Sequence, residues 1–518
     1  ASGKEVLLSQ RPDGRGLSTS VTLPSGSIQN SGQIAADAGT IALHARVVNQ
    51  SGSIQANSVR EHNGVIELLA SDSIRLASSS SISTRGDASV PSNGGQVVVK
   101  ADRSFADASG SRIDIRGGAS GGNGGRAEIC APEMSAVHTG VDGTAVAGSR
   151  GGELYIDPQD IILGNAGTGS AGNGTVNPND PPAAGALNLN VGTAFTGLSR
   201  IHLQATRNIQ LSAGTLWDLN ESTGVSSPGS LLLLEAGNNI TLANGSRINA
   251  GDGWSVSLVA GRDFTQPSGT RSGTGNLALN GSAGIQATDG DISLLAGNNL
   301  TVASGFVRTI GGGDITARAV AGNINTGTRA NGFLFRPTGY EVDSELGGIS
   351  TANGGDVSLQ AGQDVISFLP LAGGLQSDAG SGAFGSAPGN LTVNAGRDVQ
   401  GHYVVRNGTG TIQAGRNAGS ATRLLALSAV DTVWNVTAAN DILLQEVRNP
   451  NGIFNNLGSS TAPFRHRFDY SDDAAVSLVA GNSVQLRGSA LPRFDDAFSQ
   501  GMTPIYPGTL TIRYEWVP

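Results

Sequence analysis

The sequence predicts an all-β solenoid, a parallel β-helix in which short strands and tight corners repeat as stacked rungs. Three observations lead there. Of 518 residues, 77 are Gly, about 15 %, while aromatics are only 4 % and charged residues 14 %; ordinary cores draw heavily on rings and Met, and this chain has two Met. One phrase recurs along the chain: alternating aliphatics, Ala-Gly, two polar residues, then alternating aliphatics again. Finally, the apolar residues follow the period of two of a strand and not the 3.6 of a helix.

The phrase is clearest in Leu232-Leu-Leu-Glu-Ala-Gly-Asn-Asn-Ile-Thr-Leu242 and Val256-Ser-Leu-Val-Ala-Gly-Arg-Asp-Phe264, and returns at 292–302, 357–365, 391–399 and 476–484. Alternation places Val256 and Leu258 on one face and Ser255 and Ser257 on the other. Ala-Gly marks a corner, where a small side chain fits inside the bend and Gly supplies an unusual φ. The polar pair that follows is a turn former. The uneven spacing between copies suggests rungs of about 20 residues with inserted loops. Roughly 20–25 such rungs, stacked at about 4.8 Å, would make a rod on the order of 100 Å long. Asn238, Asn239, Asn298 and Asn299 are candidates for hydrogen-bonded ladders between corners, with ordinary solvated turns the alternative.

In chain order, residues 1–163 form a first β-helix segment with a second phrase, Asn-Gly-Gly before a strand, at Asn93-Gly-Gly-Gln-Val97 and Asn123-Gly-Gly-Arg-Ala127, with a relative at Gly151-Gly-Glu-Leu154. Residues 164–186, mostly Gly, Asn, Pro and Ala, read as a linker or long loop. Residues 187–445 carry the main repeat, with loops near 326–347 and 366–389. Residues 446–518 differ: they hold nine of the 23 aromatics and end in the alternating Leu510-Thr-Ile-Arg-Tyr-Glu-Trp516. A solenoid end exposes strand edges, so this region reads as a cap, with a contact for a partner or another copy as the alternative.

Several classes are excluded. No run of about 18 apolar residues could span a membrane as a helix, and Cys130 is alone, so no disulfide framework exists. Net charge is −9, with no basic footprint for nucleic acid. The N-terminal Ala1-Ser-Gly-Lys-Glu5 carries no signal peptide, so an exported chain would be a processed product or a fragment.

The rungs, together with Asn123-Gly-Gly-Arg-Ala-Glu-Ile129 and Tyr155-Ile-Asp-Pro-Gln-Asp-Ile-Ile162, resemble the filamentous haemagglutinin family, bacterial exoproteins of two-partner secretion. The resemblance covers about 25–490. It implies a right-handed parallel β-helix, exported through an outer-membrane transporter and secreted or displayed at the cell surface. There it would act in adhesion, aggregation or biofilm, with glycans or proteins of host or neighbouring cells as partners. The family's secretion domain is not recognisable. Asn449-Pro-Asn-Gly-Ile453 copies a string of that domain but reads here as a turn.

β-Helices also host polysaccharide-cleaving enzymes, which cluster carboxylates on one sheet face. The candidates are Asp469, Asp472 and Asp473, and the adjacent Asp495 and Asp496, which would point apart on a strand; all read as solvated loop charges. His44, His62, His138, His202, His402 and His466 lack metal-ligand spacing. Cys130 reads as a small buried hydrophobe on a strand. The Arg-Asp pairs 262–263 and 397–398 read as structural corners. Ten Asn-x-Ser/Thr strings, among them Asn239, Asn299 and Asn390, follow from composition. The expectation is therefore a non-enzymatic surface adhesin with no catalytic, cofactor-binding or metal residues and no cofactor. A filament or sheath subunit that self-associates through 446–518 is the first alternative, and a carbohydrate-active β-helix enzyme the second.

Overall fold

The computed structural model describes residues 3–10, 17–134, 136–165, 186–336, 339–371, 378–450 and 470–486. The chain is 53 % strand and about 1 % helix, and it divides into two compact units, Ala1–Ser268 and Gly269–Pro518. Each is a parallel β-helix. Among the described residues no helix is long and apolar enough to cross a membrane.

In the first unit, Gly3–Gln10 and Leu17–Pro24 pair antiparallel, and parallel stacking starts at Ser27–Asn30. From there each rung contributes up to three strands. One sheet stacks Val65–Leu76, Gln96–Ala101, Arg126–Cys130, Gly152–Asp157, Leu198–Ala205, Ser230–Ala236 and Trp254–Ala260 in register. Its inward rows are columns of aliphatics: Ile66, Val97, Ala127, Leu154, Ile201, Leu232 and Val256 lie one above another, all buried. A full column exists because alternation is kept on every rung, so a one-residue slip would turn all of it outward. The strands on either side of 164–186 pair directly, Ile161 against Leu187 and Leu163 against Leu189.

The second unit repeats this architecture. Ile292–Ala296, Ile315–Ala319, Val357–Ala361 and Leu391–Ala395 stack, followed by parts of Val399–Ala414 and Leu425–Ala438 and then Ala475–Ala480. Most rungs are longer than the repeated phrase suggests. Val65 pairs with Gln96, Gln96 with Arg126 and Arg200 with Leu231, so a full rung takes half as much chain again as expected. The step from Leu391 to Gly410 is a short one, close to the expected length. The repeated phrase covers only two strands and one corner, and the third strand with its turns supplies the remainder.

The corner glycines have a cause that differs from the expected one. Gly261 has φ of 78°, as anticipated. At Gly362, Gly396 and Gly415, by contrast, a Cβ would sit 2.3, 2.1 and 2.3 Å from the carbonyl oxygens of Val320, Gly362 and Gly396 on the preceding rung. These backbones approach too closely for any side chain. The same approach continues the ladder around the bend, since Gly396 N donates to Ala361 O at 3.0 Å and Gly415 N to Ala395 O at 2.9 Å.

Polar ladders follow the corners. In the first unit Asp160 Oδ1 accepts from Asn208 N and Nδ2, both at 3.1 Å, and Asn208 Oδ1 from Asn239 N at 3.2 Å. In the second, Asn276, Asn299, Asn323, Asp364, Asp398, Asn417 and Asp441 form a run in which each side-chain oxygen accepts a backbone N–H of the next rung. Asn239 and Asn299 are thus ladder members. Asn298 Nδ2 donates to Asn276 Oδ1 at 3.1 Å, whereas Asn238 contributes its backbone N–H and C=O. Buried corner groups are satisfied here by neighbours in place of water.

Two of the buried rings have a direct explanation. Phe306 lies in register with Gly284, and Trp434 with Gly410. A Cβ on Gly284 would come within 2.5 Å of the Phe306 ring, and one on Gly410 within 2.2 Å of the Trp434 ring. At these two positions the ring takes the space that one adjacent rung leaves free of a side chain, whereas Trp217 and Phe105 stack in register on Ile248 and Ile74.

Candidate functional site

Two outward features of the first unit and one enclosed cluster of the second carry the chemistry of the described residues. The first is an open groove of about 480 Å³ over the stacked Gly corners. Its lining comes from six rungs: 63–65, 93–96, 123–126, 150–153, 199–200 and Gly229. The Asn-Gly-Gly phrase builds it. Asn93 Oδ1 accepts from Asn123 N at 2.8 Å, and Asn123 Oδ1 from Arg150 N at 2.8 Å. A Cβ on Gly95 would lie 2.1 Å from Gly64 O, and one on Gly125 2.0 Å from Gly95 O, so the floor is bare backbone. The first outward position after each corner supplies the wall: Gln96, Arg126, Glu153 and Arg200 stack in register. Glu153 lies 3.9 Å from Arg126 Nε and 3.5 Å from Arg200 Nε, and Arg126 also reaches Glu128 at 3.4 Å. The sequence phrase pointed to the corners; the groove required knowing that they stack.

Further along the same strands lies a row of titratable groups. Arg262 Nε donates to Glu235 Oε1 at 2.9 Å, and the other Glu235 oxygen lies 2.8 Å from His202 Nε2. The His202 ring is tilted on Tyr155, centroids 4.6 Å apart, and the Tyr155 hydroxyl donates to Asp157 Oδ2 at 3.4 Å. Asp157 stands in register with Cys130. Burial pushes Asp157 up to about 6, against the opposing pull of Gln204, Tyr155, Lys100 and His202; its Oδ1 is buried without a hydrogen bond. Burial, aided by Glu128 and Asp157, drives the Cys130 thiol far above its ordinary value, so it stays protonated and weakly nucleophilic. Cys130 is free and buried, as the strand reading expected. Burial likewise opposes ionisation of Glu235, but His202 and Arg262 outweigh it and hold the carboxyl below its usual range.

The enclosed cluster was missed in the sequence, where His402 reads as an ordinary rung residue. Ser428 Oγ lies 2.9 Å from His402 Nε2 and donates to Asp378 Oδ2 at 2.5 Å; His402 Nδ1 lies 2.6 Å from Ala379 O, and Arg448 Nε 3.0 Å from Asp378 Oδ1. Ser, His and carboxylate are the components of a nucleophilic triad, but the hydroxyl donates to the carboxylate, and His402 and Asp378 are 0 % exposed and Ser428 1 %. Burial pushes His402 below its ordinary value, with Asp378 pulling the other way. The arrangement ties 378–383 to the strands behind it and offers a substrate no approach. No local spacing could have found it, since the four residues meet only through rung register.

The remaining sequence candidates are dispersed. Asp472 and Asp473 are exposed in the turn before Ala475–Ala480, while Asp469, Asp495, Asp496 and His466 lie outside the described residues, as do the aromatics of 446–518 other than Tyr470. His44 lies 3.6 Å from Glu67, and His138 3.2 Å from Asp107; His62 is exposed in a turn. Arg397 pairs with Asp364, and Arg416 with Asp398, each at 2.6 Å across one rung. Among the described residues no group of three or more His, Cys, Asp or Glu is placed to hold a metal ion. Compared with known proteins, the chain matches no family model, no curated protein and no solved structure.

Proposed function

We propose that this chain is part of a secreted or cell-surface adhesin of the filamentous haemagglutinin type. In this reading it acts without catalysis, by presenting repeated outward positions of a β-helix to glycans or proteins on other cells, and it reaches the surface through an outer-membrane transporter. The observation that carries the reading is the groove over the Asn-Gly-Gly corners. It is open, lined mainly by Asn, Gly and Arg, and assembled from six rungs, a form suited to an extended surface ligand held by many weak contacts. In the row through Tyr155, Asp157 and His202, Glu235 is held by Arg262 and His202, and Asp157 meets the Tyr155 hydroxyl through one oxygen while the other is buried, so the row offers no free carboxylate pair. Purified protein coated on beads should promote attachment to cultured cells and to bacteria, saturably and in competition with soluble protein. Release of reducing ends or unsaturated sugars from polysaccharide would replace the reading with the enzymatic alternative.

A further inference from the structure

The groove has a charge pattern that narrows its ligand. Arg126, Arg150 and Arg200 come from three successive rungs, and Glu153 is the one carboxylate in the lining. Glu153 is shared between Arg126 and Arg200 at 3.9 and 3.5 Å, distances that leave most guanidinium donors unused. The Arg150 backbone N–H is bound by Asn123, while its exposed guanidinium makes no ion pair or hydrogen bond among the described residues. The groove crosses five rung spacings, roughly 24 Å at about 4.8 Å each, and its floor is bare glycine backbone. A flat floor with a guanidinium on each of three successive rungs suits a chain of rings bearing one carboxylate per unit, because the planar guanidinium fork matches a carboxylate. An acidic peptide fits less well: peptides bind sheets by adding to an unpaired edge, and Arg126–Cys130 is already paired on both sides.

We infer that this groove binds a polyuronate, an acidic polysaccharide with a carboxylate on every sugar unit, clamped by Arg126, Arg150 and Arg200. The inference rests on the adhesin reading and specifies its ligand class. The test is binding of the full chain to polygalacturonate, to hyaluronate, in which only alternate units carry a carboxylate, and to neutral dextran. Polygalacturonate should bind best, hyaluronate more weakly and dextran not at all, with affinity falling as salt is added. The triple variant R126Q/R150Q/R200Q should lose roughly tenfold or more, as charge-assisted hydrogen bonds are removed. Glu153→Gln removes the one carboxylate of the lining, and with it the repulsion of an anionic ligand, and should bind more tightly, a gain that damage to the fold cannot produce. Equal binding of dextran, preference for hyaluronate, an unchanged triple variant or a weakened Glu153→Gln variant would each overturn the proposal. Bead attachment to cells separates the two readings. Attachment without polygalacturonate binding removes the polyuronate and leaves the adhesin; binding without attachment does the reverse.

Discussion

Replacing Asp157 by Asn should stabilise the first unit at neutral pH and leave it unchanged in acid. The Asp157 carboxyl is raised from 3.8 to about 6 by burial. The folded state therefore holds a proton that the unfolded chain releases between those values. Stability then falls as pH rises through this window, and the penalty is fully present above pH 6 and absent below 3.8. Two pH units and a little more correspond to about 3 kcal/mol at about 1.36 kcal/mol per unit. The amide introduced by Asp157→Asn has no proton to lose and keeps an oxygen to accept from the Tyr155 hydroxyl. Because rungs couple chiefly to their neighbours, the proper readout is local: hydrogen exchange of peptides spanning 126–130, 152–157 and 198–205, wild type against Asp157→Asn, from pH 3.5 to 7.5. The difference in opening free energy should grow from near zero to about 3 kcal/mol and level off above pH 6. Carboxylates held low, such as Asp72 beside Arg103, titrate in both proteins and cancel. A difference that is flat with pH, or that favours wild type at neutral pH, would refute the burial argument.

Three further outcomes are expected. Asn299→Ala removes the acceptor for Asn323 N at 2.9 Å and should cost about 1–2 kcal/mol, read as faster exchange of residues 320–325 with distant rungs unaffected. Gly396→Ala puts a methyl 2.1 Å from Gly362 O and should lower the thermal midpoint or soluble yield, whereas Gly140→Ala, with nothing within 4 Å of the new methyl, should stay within about 0.5 kcal/mol of wild type. Trp434→Ala should cost roughly 3–5 kcal/mol. In that background Gly410→Ala should be tolerated better than in wild type, because the ring that excludes its Cβ is gone; a double-mutant cycle on thermal unfolding measures the coupling.

Much of the fold was legible because it is local. The alternation around Val256 and Leu258 specified which side is buried, and the Asn pairs at 238–239 and 298–299 read as ladder candidates against solvated turns; of these, Asn239, Asn298 and Asn299 place side chains in ladders. What was not legible needed the identity of the residue one rung away. The reason for Gly396 lies in the carbonyl of Gly362, and the tolerance of Trp434 lies in Gly410; no window along the chain contains both partners. Rung length was misjudged because the repeated phrase leaves out the third strand. The groove was half legible, since the Asn-Gly-Gly phrase was visible and its stacking was not. The enclosed Asp378, His402, Ser428 and Arg448 cluster lay beyond reach altogether, because each member sits about one rung from the next and looks ordinary where it stands.

The glycine excess follows from the same geometry. Each Gly loses more conformational freedom on folding than any other residue, a cost of roughly 0.5–1 kcal/mol in regular structure. In most folds that cost recurs with little return. Here each corner glycine lets two backbones approach closely enough to continue the hydrogen-bond ladder around the bend, as at Gly396 N to Ala361 O, and it spares a buried N–H that would otherwise be orphaned. The inward rows are then filled mainly by small aliphatics, and the exposed wall positions of the groove carry little structural duty. Outward substitutions such as those at Gln96, Arg126 or Arg200 should therefore alter recognition without disturbing the rungs, while a methyl added at an inward corner is felt by its two neighbouring rungs and fades beyond them.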